Sequence, residues 1–172
     1  MTPKSLLRHK LAVSRKEDFI NGSSFHRVLW DDAHHVNSDI VLVADSKVKR
    51  VVMCSGKVYY DLLEERDAHG VDDVYLMRFE QFYPFPAISA LKELERFKNA
   101  QMVWCQEEPK NQGGWTFMEP NLEWVLTRMK AKYSRPIYVG RSASASPATG
   151  LASQHKEQQK ALIKDALDTT GK

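Results

Sequence analysis

The chain has 172 residues, of which 42% are hydrophobic and 27% charged, enough apolar material for one core of ordinary size. Its 25 basic and 22 acidic residues are interspersed along the chain, which argues against a dedicated nucleic-acid binder. No apolar run reaches the ~20 residues that a membrane span requires, and residues 1–14 lack the apolar core of a signal peptide. We therefore expect one cytoplasmic domain, in which Cys54 and Cys105 are buried, reduced thiols.

The N-terminal part of the chain does not follow a regular pattern. Residues 17–20 are predicted to form a short helix after Ser14. The apolar runs at 25–30 and 40–44 are interpreted as an antiparallel edge pair or hairpin. We therefore expect residues 1–48 to form an irregular connecting segment that packs on a domain formed by residues 49–172.

From residue 49 onward, short β-branched runs alternate with longer amphipathic runs, which is the pattern of repeated βα units. Strands are predicted at 50–54, 73–79, 101–105 and 136–139, and helices at 57–69, 87–97, 115–132 and 154–167. Because crossovers of this length place helices on the faces of a sheet, the order predicts a mostly parallel sheet covered on both sides. The expected fold is therefore α/β, with three α/β/α layers.

The loops that follow the predicted strands are the places to look for a ligand, because ligands of open parallel sheets bind beyond the carboxyl ends of the strands. Ser55, Gly56 and Lys57 follow the first of these strands and offer a hydroxyl, a flexible backbone and a cation to an anion. Arg141 follows the fourth strand and can hold a phosphate with two hydrogen bonds. Both sites also have a simpler explanation. Ser55 can cap a helix beside a solvated Lys57, and Arg141 can form a surface ion pair.

Residues 106–114 form the polar loop predicted after the third strand. Its adjacent carboxylates, Glu107 and Glu108, point to opposite sides of an extended chain and cannot flank one substrate. We therefore expect them to pair with basic groups or with partner domains. The amides of Asn111 and Gln112 either contact a ligand or belong to a simple polar turn, and the sequence favours neither interpretation.

A complete catalytic apparatus is not recognisable in the sequence. The chain contains no nucleophile elbow for a serine, histidine and aspartate triad and no phosphate-binding loop of the nucleotide-hydrolysing kind. His34 and His35 are neighbours, but no second pair of ligands stands at metal-binding spacing. We therefore expect a fixed part of a larger enzyme, without catalytic, cofactor-binding or metal-binding residues of its own.

Five motifs that follow one another in register resemble a single family. They cover nearly the whole chain, with the weakest similarity at 14–48, and they lie at residues 3–9, 54–62, 83–86, 104–113 and 140–150. Together they resemble the C-terminal region of 2-oxoglutarate dehydrogenase, the thiamine-diphosphate-dependent decarboxylating component of the 2-oxoglutarate dehydrogenase complex. The resemblance implies a transketolase C-terminal-like α/β/α fold, with the thiamine diphosphate and magnesium sites on segments outside this chain.

The resemblance also implies what the segment does. The intact enzyme of that family decarboxylates 2-oxoglutarate in the tricarboxylic acid cycle and passes the succinyl group to the lipoyl arm of the succinyltransferase component. This region supports homodimer assembly, meets the thiamine-binding domain of the same polypeptide, and contributes to an effector pocket for acetyl-CoA or AMP. The effector-binding residues implied by the matching motifs are Arg8, Ser55, Lys57, Gln106, Gln112 and Arg141. The alternative function is a stand-alone module that binds a nucleotide or an acyl-CoA.

Overall fold

The computed structural model describes residues 3–20, 22–31, 33 and 40–170. Five strands form one sheet, and they are β1 (Val28–Leu29), β2 (Arg50–Cys54), β3 (Val74–Phe79), β4 (Gln101–Pro109) and β5 (Ile137–Arg141). The helices that cover the sheet are α1 (Val58–Ala68), α2 (Ala87–Leu94), α3 (Trp115–Arg128) and α4 (Ala152–Leu167). Within the described ranges, no helix is both long enough and apolar enough to cross a membrane.

The strands lie side by side in the order β1-β3-β2-β4-β5. β2 is parallel to β3 and β4, and β5 is parallel to β4, whereas β1 runs antiparallel to β3. The register places Val52 of β2 beside Leu76 of β3 and Val103 of β4. The mostly parallel sheet predicted from the βα rhythm is therefore confirmed.

Alternate residues of the central strands face opposite sides of the sheet and enter two separate cores. Val51 and Met53 of β2 belong to the core formed with α2 and α3, which also contains Trp104. Val52 and Cys54 belong to the core formed with α1 and α4. Because a strand that is apolar on both faces needs a helical layer on each side, the three-layer α/β/α arrangement follows from the composition of these strands, and it is confirmed.

Both cysteines are free thiols buried in the core beneath α1 and α4. Burial raises the pKa of Cys54 to about 12, and burial raises the pKa of Cys105 well above its usual value. The thiolate is the reactive form of cysteine, so these two side chains act as small apolar core residues. The expectation of buried thiols at both positions is confirmed.

β4 is longer than the sequence pattern predicted, because it continues to Pro109 instead of ending at residue 105. The extension pairs with the end of β5 across an irregularity, with Pro109 opposite Arg141. The backbone N–H of Lys110 also donates to the carbonyl oxygen of Arg141 at 3.0 Å. Gln106 and the two residues after it are therefore part of a strand, which corrects the prediction of a loop there.

The predicted pairing within the N-terminal segment is wrong. Val28–Leu29 forms an antiparallel edge strand as expected, but its partner is β3, and residues 40–44 are not in a strand. The buried carboxylate of Asp31 explains this pairing, since its Oδ2 accepts hydrogen bonds from Arg66 Nη1 at 2.5 Å and from the backbone N–H of Leu76 at 2.6 Å. Asp31 and Arg66 are both fully buried, so neither charge can leave the other without a large cost.

Candidate functional site

Polar side chains converge at the edge of the sheet where β2, β4 and β5 end, between α1 and α4. The set that is connected by hydrogen bonds is called the Lys57–Arg141 network, and it consists of Lys57, Asp61, Glu107, Arg141, His155 and Gln159. Its members come from the start of α1, from β4, from the end of β5 and from α4. This edge is the expected place for a ligand in a parallel sheet, because the carboxyl ends of several strands meet there.

Lys57 is the residue that caps α1, and two carboxylates hold its ammonium group. Nζ lies 2.5 Å from Asp61 Oδ2 and 3.4 Å from Glu107 Oε1, and 28% of the side chain is exposed. Burial lowers the pKa of Lys57, but hydrogen bonding to Asp61 and attraction by Glu107 outweigh this effect, so the pKa is raised overall. Lys57 is thus a fixed, charged group, unlike the solvated lysine of the simpler sequence interpretation.

Gln159 of α4 connects the two cationic groups of the network. Its Nε2 donates to Asp61 Oδ2 at 2.8 Å and to Glu107 Oε1 at 3.0 Å, the same two oxygens that hold Lys57. Its Oε1 accepts a hydrogen bond from Arg141 Nη2 at 3.1 Å. The structure therefore brings Lys57 and Arg141, two of the residues singled out in the sequence, into one network.

The network contains two cations, Lys57 and Arg141, and two carboxylates, Asp61 and Glu107, so its formal charges are balanced. An anionic ligand has to compete with the carboxylates for Lys57, and with Gln159 and His155 for Arg141. A ligand that also carries hydroxyl or amino groups can donate to the carboxylate oxygens that it displaces. The arrangement thus suits a ligand that combines a phosphate with hydrogen-bond donors, since guanidinium and ammonium groups both bind phosphate.

Gln106, also singled out in the sequence, is buried and ties the turn between β4 and α3. Its Oε1 accepts hydrogen bonds from the indole N–H of Trp104 at 3.0 Å and from the backbone N–H groups of Gly114 and Trp115 at 3.1 and 2.9 Å. Its Nε2 donates to three carbonyl oxygens, those of Glu108, Pro109 and Gln112. Both polar atoms are engaged within the chain, so the side chain shapes the turn.

The turn after β4 is joined to the serine-rich loop at residues 142–150. Asn111 exchanges two 3.0 Å hydrogen bonds with the backbone of Ser144, and Gln112 Nε2 donates to the same Ser144 carbonyl oxygen at 3.0 Å. Gly113 has a φ of 66°, and a Cβ there would lie 2.9 Å from a side-chain nitrogen. The tight turn therefore needs glycine at this position, and it holds the loop beside the end of β5.

The remaining two sequence-derived residues, Ser55 and Arg8, are not members of the network. Ser55 is half-buried, two residues before the cap of α1. Arg8 is exposed, in a short 3-10 helix of the N-terminal segment. The next residue, His9, packs its ring on Tyr60 with 5.1 Å between the ring centroids. The N-terminal segment therefore runs beside α1, but Arg8 is not one of the residues that form the network.

Sequence reasoning missed Asp61, His155 and Gln159. A signal for Asp61 was present, since it follows Lys57 by four residues and opposite charges at this spacing share one face of a helix. His155 and Gln159 have the same spacing on α4, and His155 Nδ1 lies 3.1 Å from Arg141 Nη2. No local pattern links α4 to the strand ends, because that contact depends on how the helix is placed in three dimensions.

Glu107 pairs with a basic neighbour, as the sequence analysis expected of this carboxylate. In the part of the chain that the structure describes, no group of three His, Cys, Asp or Glu side chains could hold a metal ion. The neighbours His34 and His35 lie outside the described residues. The charged and amide groups of the Lys57–Arg141 network are the described groups at this end of the sheet that could contact a polar ligand.

Comparison with known proteins gives a consistent family assignment. The family model described as 2-oxoglutarate dehydrogenase C-terminal matches residues 13–167. The chain is 60% identical over 168 residues to the 2-oxoglutarate dehydrogenase E1 components of Brucella anthropi and Brucella ovis, and 60% identical over 169 residues to that of Brucella abortus. Each match covers 97% of this chain and 17% of the relative, so the chain spans a small part of the length of these curated relatives.

Proposed function

Because the chain belongs to the 2-oxoglutarate dehydrogenase C-terminal family, we propose that it serves as the assembly and effector-binding domain of a 2-oxoglutarate dehydrogenase E1 component. In the whole protein, 2-oxoglutarate is decarboxylated oxidatively and the succinyl group passes to the lipoyl arm of a succinyltransferase component, within the tricarboxylic acid cycle in the cytoplasm. The segment itself catalyses no step. The observation that carries the effector role is the Lys57–Arg141 network.

The proposed effectors, acetyl-CoA and AMP, contain phosphates together with ribose hydroxyls and an amino group. Lys57 and Arg141 bind the phosphates, and Asp61 and Glu107 accept hydrogen bonds from the hydroxyls or the amine. Gln159 releases the carboxylates as the ligand enters, since its amide can exchange one set of partners for another.

The other implied effector residues have different parts in this proposal. Ser55, two residues before Lys57, offers a hydroxyl beside the network, and Arg8 is expected to contribute a cation from the N-terminal segment. Gln106 and Gln112 act indirectly, because their hydrogen bonds shape the turn and the loop beside Arg141. Substitution of either glutamine therefore alters the turn and the loop beside Arg141, whereas substitution of a cation removes a direct contact.

Thiamine diphosphate and magnesium belong to the whole protein in this proposal. The described residues do not fit these groups, since none of their acidic, histidine or cysteine side chains form a metal-binding cluster. When bound, thiamine diphosphate supplies the carbanion chemistry of the decarboxylation. In this proposal the residues of the segment take no direct part in the catalytic steps.

The assembly role is supported by exposed apolar side chains on the N-terminal segment. The exposed fractions are 73% for Leu7, 73% for Phe19 and 69% for Phe25. Large apolar side chains exposed on a surface are candidates for contact with other parts of a protein, because their exposure to water is unfavourable. In the whole protein these side chains pack against the thiamine-binding domain or against the second subunit of a homodimer.

Isothermal titration calorimetry of the 172-residue chain with acetyl-CoA and with AMP tests the effector role. We expect heat of binding from the unaltered chain, and we expect Lys57→Ala and Arg141→Ala each to weaken binding about tenfold or more, because each removes a charge-assisted hydrogen bond. Lys49→Ala is the matched control. Lys49 pairs with Asp73 at the amino end of β2, so it lies at the opposite end of the strands from the network.

Circular dichroism establishes that each variant is folded before titration. The effector role is contradicted if the folded, unaltered chain gives no heat with either ligand. It is also contradicted if Lys49→Ala weakens binding as much as the two network variants, because the response would then reflect general charge alone.

A further inference from the structure

A polar cavity runs along α4, between that helix and the loop at residues 142–150, and its volume is about 580 Å³. α4 lines it with Gln154, Gln158, Leu162 and Asp165, which share one face because residues three or four apart lie above one another on a helix. At 1.5 Å per residue this face is roughly 16 Å long. We call this cavity the α4 groove, and its volume is in the range of small-molecule sites.

Three residues that line the α4 groove have buried polar atoms without a hydrogen-bond partner in the described part of the chain. These atoms are Arg141 Nε, Thr149 Oγ1 and Gln158 Oε1. They comprise an N–H donor, a hydroxyl group and an amide acceptor. Folded proteins satisfy nearly all of their buried polar groups, so three such atoms in residues beside one cavity distinguish it as a candidate site for a polar ligand.

The two ends of the α4 groove differ in charge. Arg141 reaches the first turns of α4, where its Nη2 lies 3.1 Å from both His155 Nδ1 and Gln159 Oε1. The first turn of α4 contains no acidic residue, and in the described structure no side chain caps its backbone N–H groups. Asp165 lies at the opposite end, in the last turn. An anion is therefore favoured at the N-terminal end and a hydrogen-bond donor at the C-terminal end.

We propose that the α4 groove is a binding site for a small, elongated molecule that has an oxyanion at one end and an amine at the other. The oxyanion, a carboxylate or a phosphate, lies near Arg141 and Thr149, and the amine lies near Asp165. This site shares Arg141 with the effector site proposed above, but it extends along α4 towards Asp165, and Lys57 is not among the residues that line the groove. It does not depend on that proposal.

Two-dimensional ¹H–¹⁵N NMR spectra of the 172-residue chain, titrated with 6-aminohexanoate, hexanoate and hexylamine, test the inference. We expect shifts in the amide signals of residues 142–150 and 152–165, with 6-aminohexanoate binding about tenfold more tightly than either one-ended probe, because it makes both charged contacts. Inorganic phosphate and acetate, compared at equal concentration, show which oxyanion the Arg141 end prefers.

Variants of the same size separate the groove from its surroundings. Thr149→Val and Gln158→Leu each remove one polar group and are expected to weaken 6-aminohexanoate binding about fivefold to tenfold. Arg135→Ala is expected to leave this binding unchanged, because Arg135 is exposed and pairs with Glu123 of α3, on the other face of the sheet. The proposal is overturned if no probe shifts the groove signals, if 6-aminohexanoate and hexanoate bind equally, or if Arg135→Ala weakens binding as much as Thr149→Val. The comparison of probes on the unaltered chain remains decisive even if a variant does not fold.

Discussion

Replacing Gln106 with leucine keeps the volume of a buried side chain and removes the hydrogen bonds that hold the turn between β4 and α3. Three donors lose their acceptor: the indole N–H of Trp104 and the backbone N–H groups of Gly114 and Trp115. All three of these hydrogen bonds are buried. The substitution therefore isolates the cost of leaving polar groups unsatisfied, with little change in packing.

The size of the expected effect follows from the number of groups affected. A buried donor left without an acceptor costs about 1–3 kcal/mol, so three donors give an upper range of about 3–9 kcal/mol. Local relaxation and entry of water reduce such sums, because contributions of neighbouring groups are not additive. We expect Gln106→Leu to lower the free energy of unfolding by about 3–5 kcal/mol, a large part of the total stability of a domain.

Urea denaturation followed by tryptophan fluorescence and far-ultraviolet circular dichroism measures this change. Gln154→Leu is the matched control, since Gln154 is exposed on α4 and its substitution is expected to change stability by less than about 0.5 kcal/mol. A loss below about 1 kcal/mol for Gln106→Leu would refute the reasoning, because it would mean that other groups satisfy the turn.

Two further changes test the buried polar and thiol groups. Arg66→Met leaves the fully buried Asp31 carboxylate without its cation. We expect it to lower the free energy of unfolding, measured by urea denaturation, by about 3–5 kcal/mol. A decrease under about 1 kcal/mol would contradict the anchoring role of this pair. Burial raises the pKa of Cys54 from 9.0 to about 12, so the folded chain keeps a proton that the unfolded chain releases. The contribution of this thiol to the free energy of unfolding is complete below pH 9.0. It falls between pH 9.0 and about 12, by roughly 1.4 kcal/mol per pH unit. Cys54→Ala is expected to make this fall less steep, and an unchanged slope would contradict the assignment.

The α/β class could be predicted because each element carries its own local signal. β2 has the bounds expected from its β-branched run, Arg50–Cys54, and α1 covers the amphipathic stretch that follows it. Both signals arise from side-chain periodicity within a few residues, so no distant contact is needed to read them. The end of β4 carried no such signal, because residues 106–108 are polar, residue 109 is proline, and the segment is held as a strand by β5 and by the hydrogen bonds of Gln106.

The N-terminal pairing failed for a related reason. Asp31 reaches Arg66 across 35 positions in the sequence, and this contact places Val28–Leu29 against β3. Two apolar runs near each other in the sequence predict a hairpin only when no stronger distant contact competes. A buried ion pair is such a contact, since its two charges are costly to separate.

The amino-acid sequence by itself determined the alternation of strands and helices, the motifs that resemble one family, and the polar residues Lys57 and Arg141 after two strands. Only the tertiary structure decided that Gln159 joins these two residues, and that Gln106 is buried and supports a turn. The physical reason is that periodicity shows which face of an element is buried, whereas the partners of a polar side chain depend on the relative placement of elements far apart in the chain.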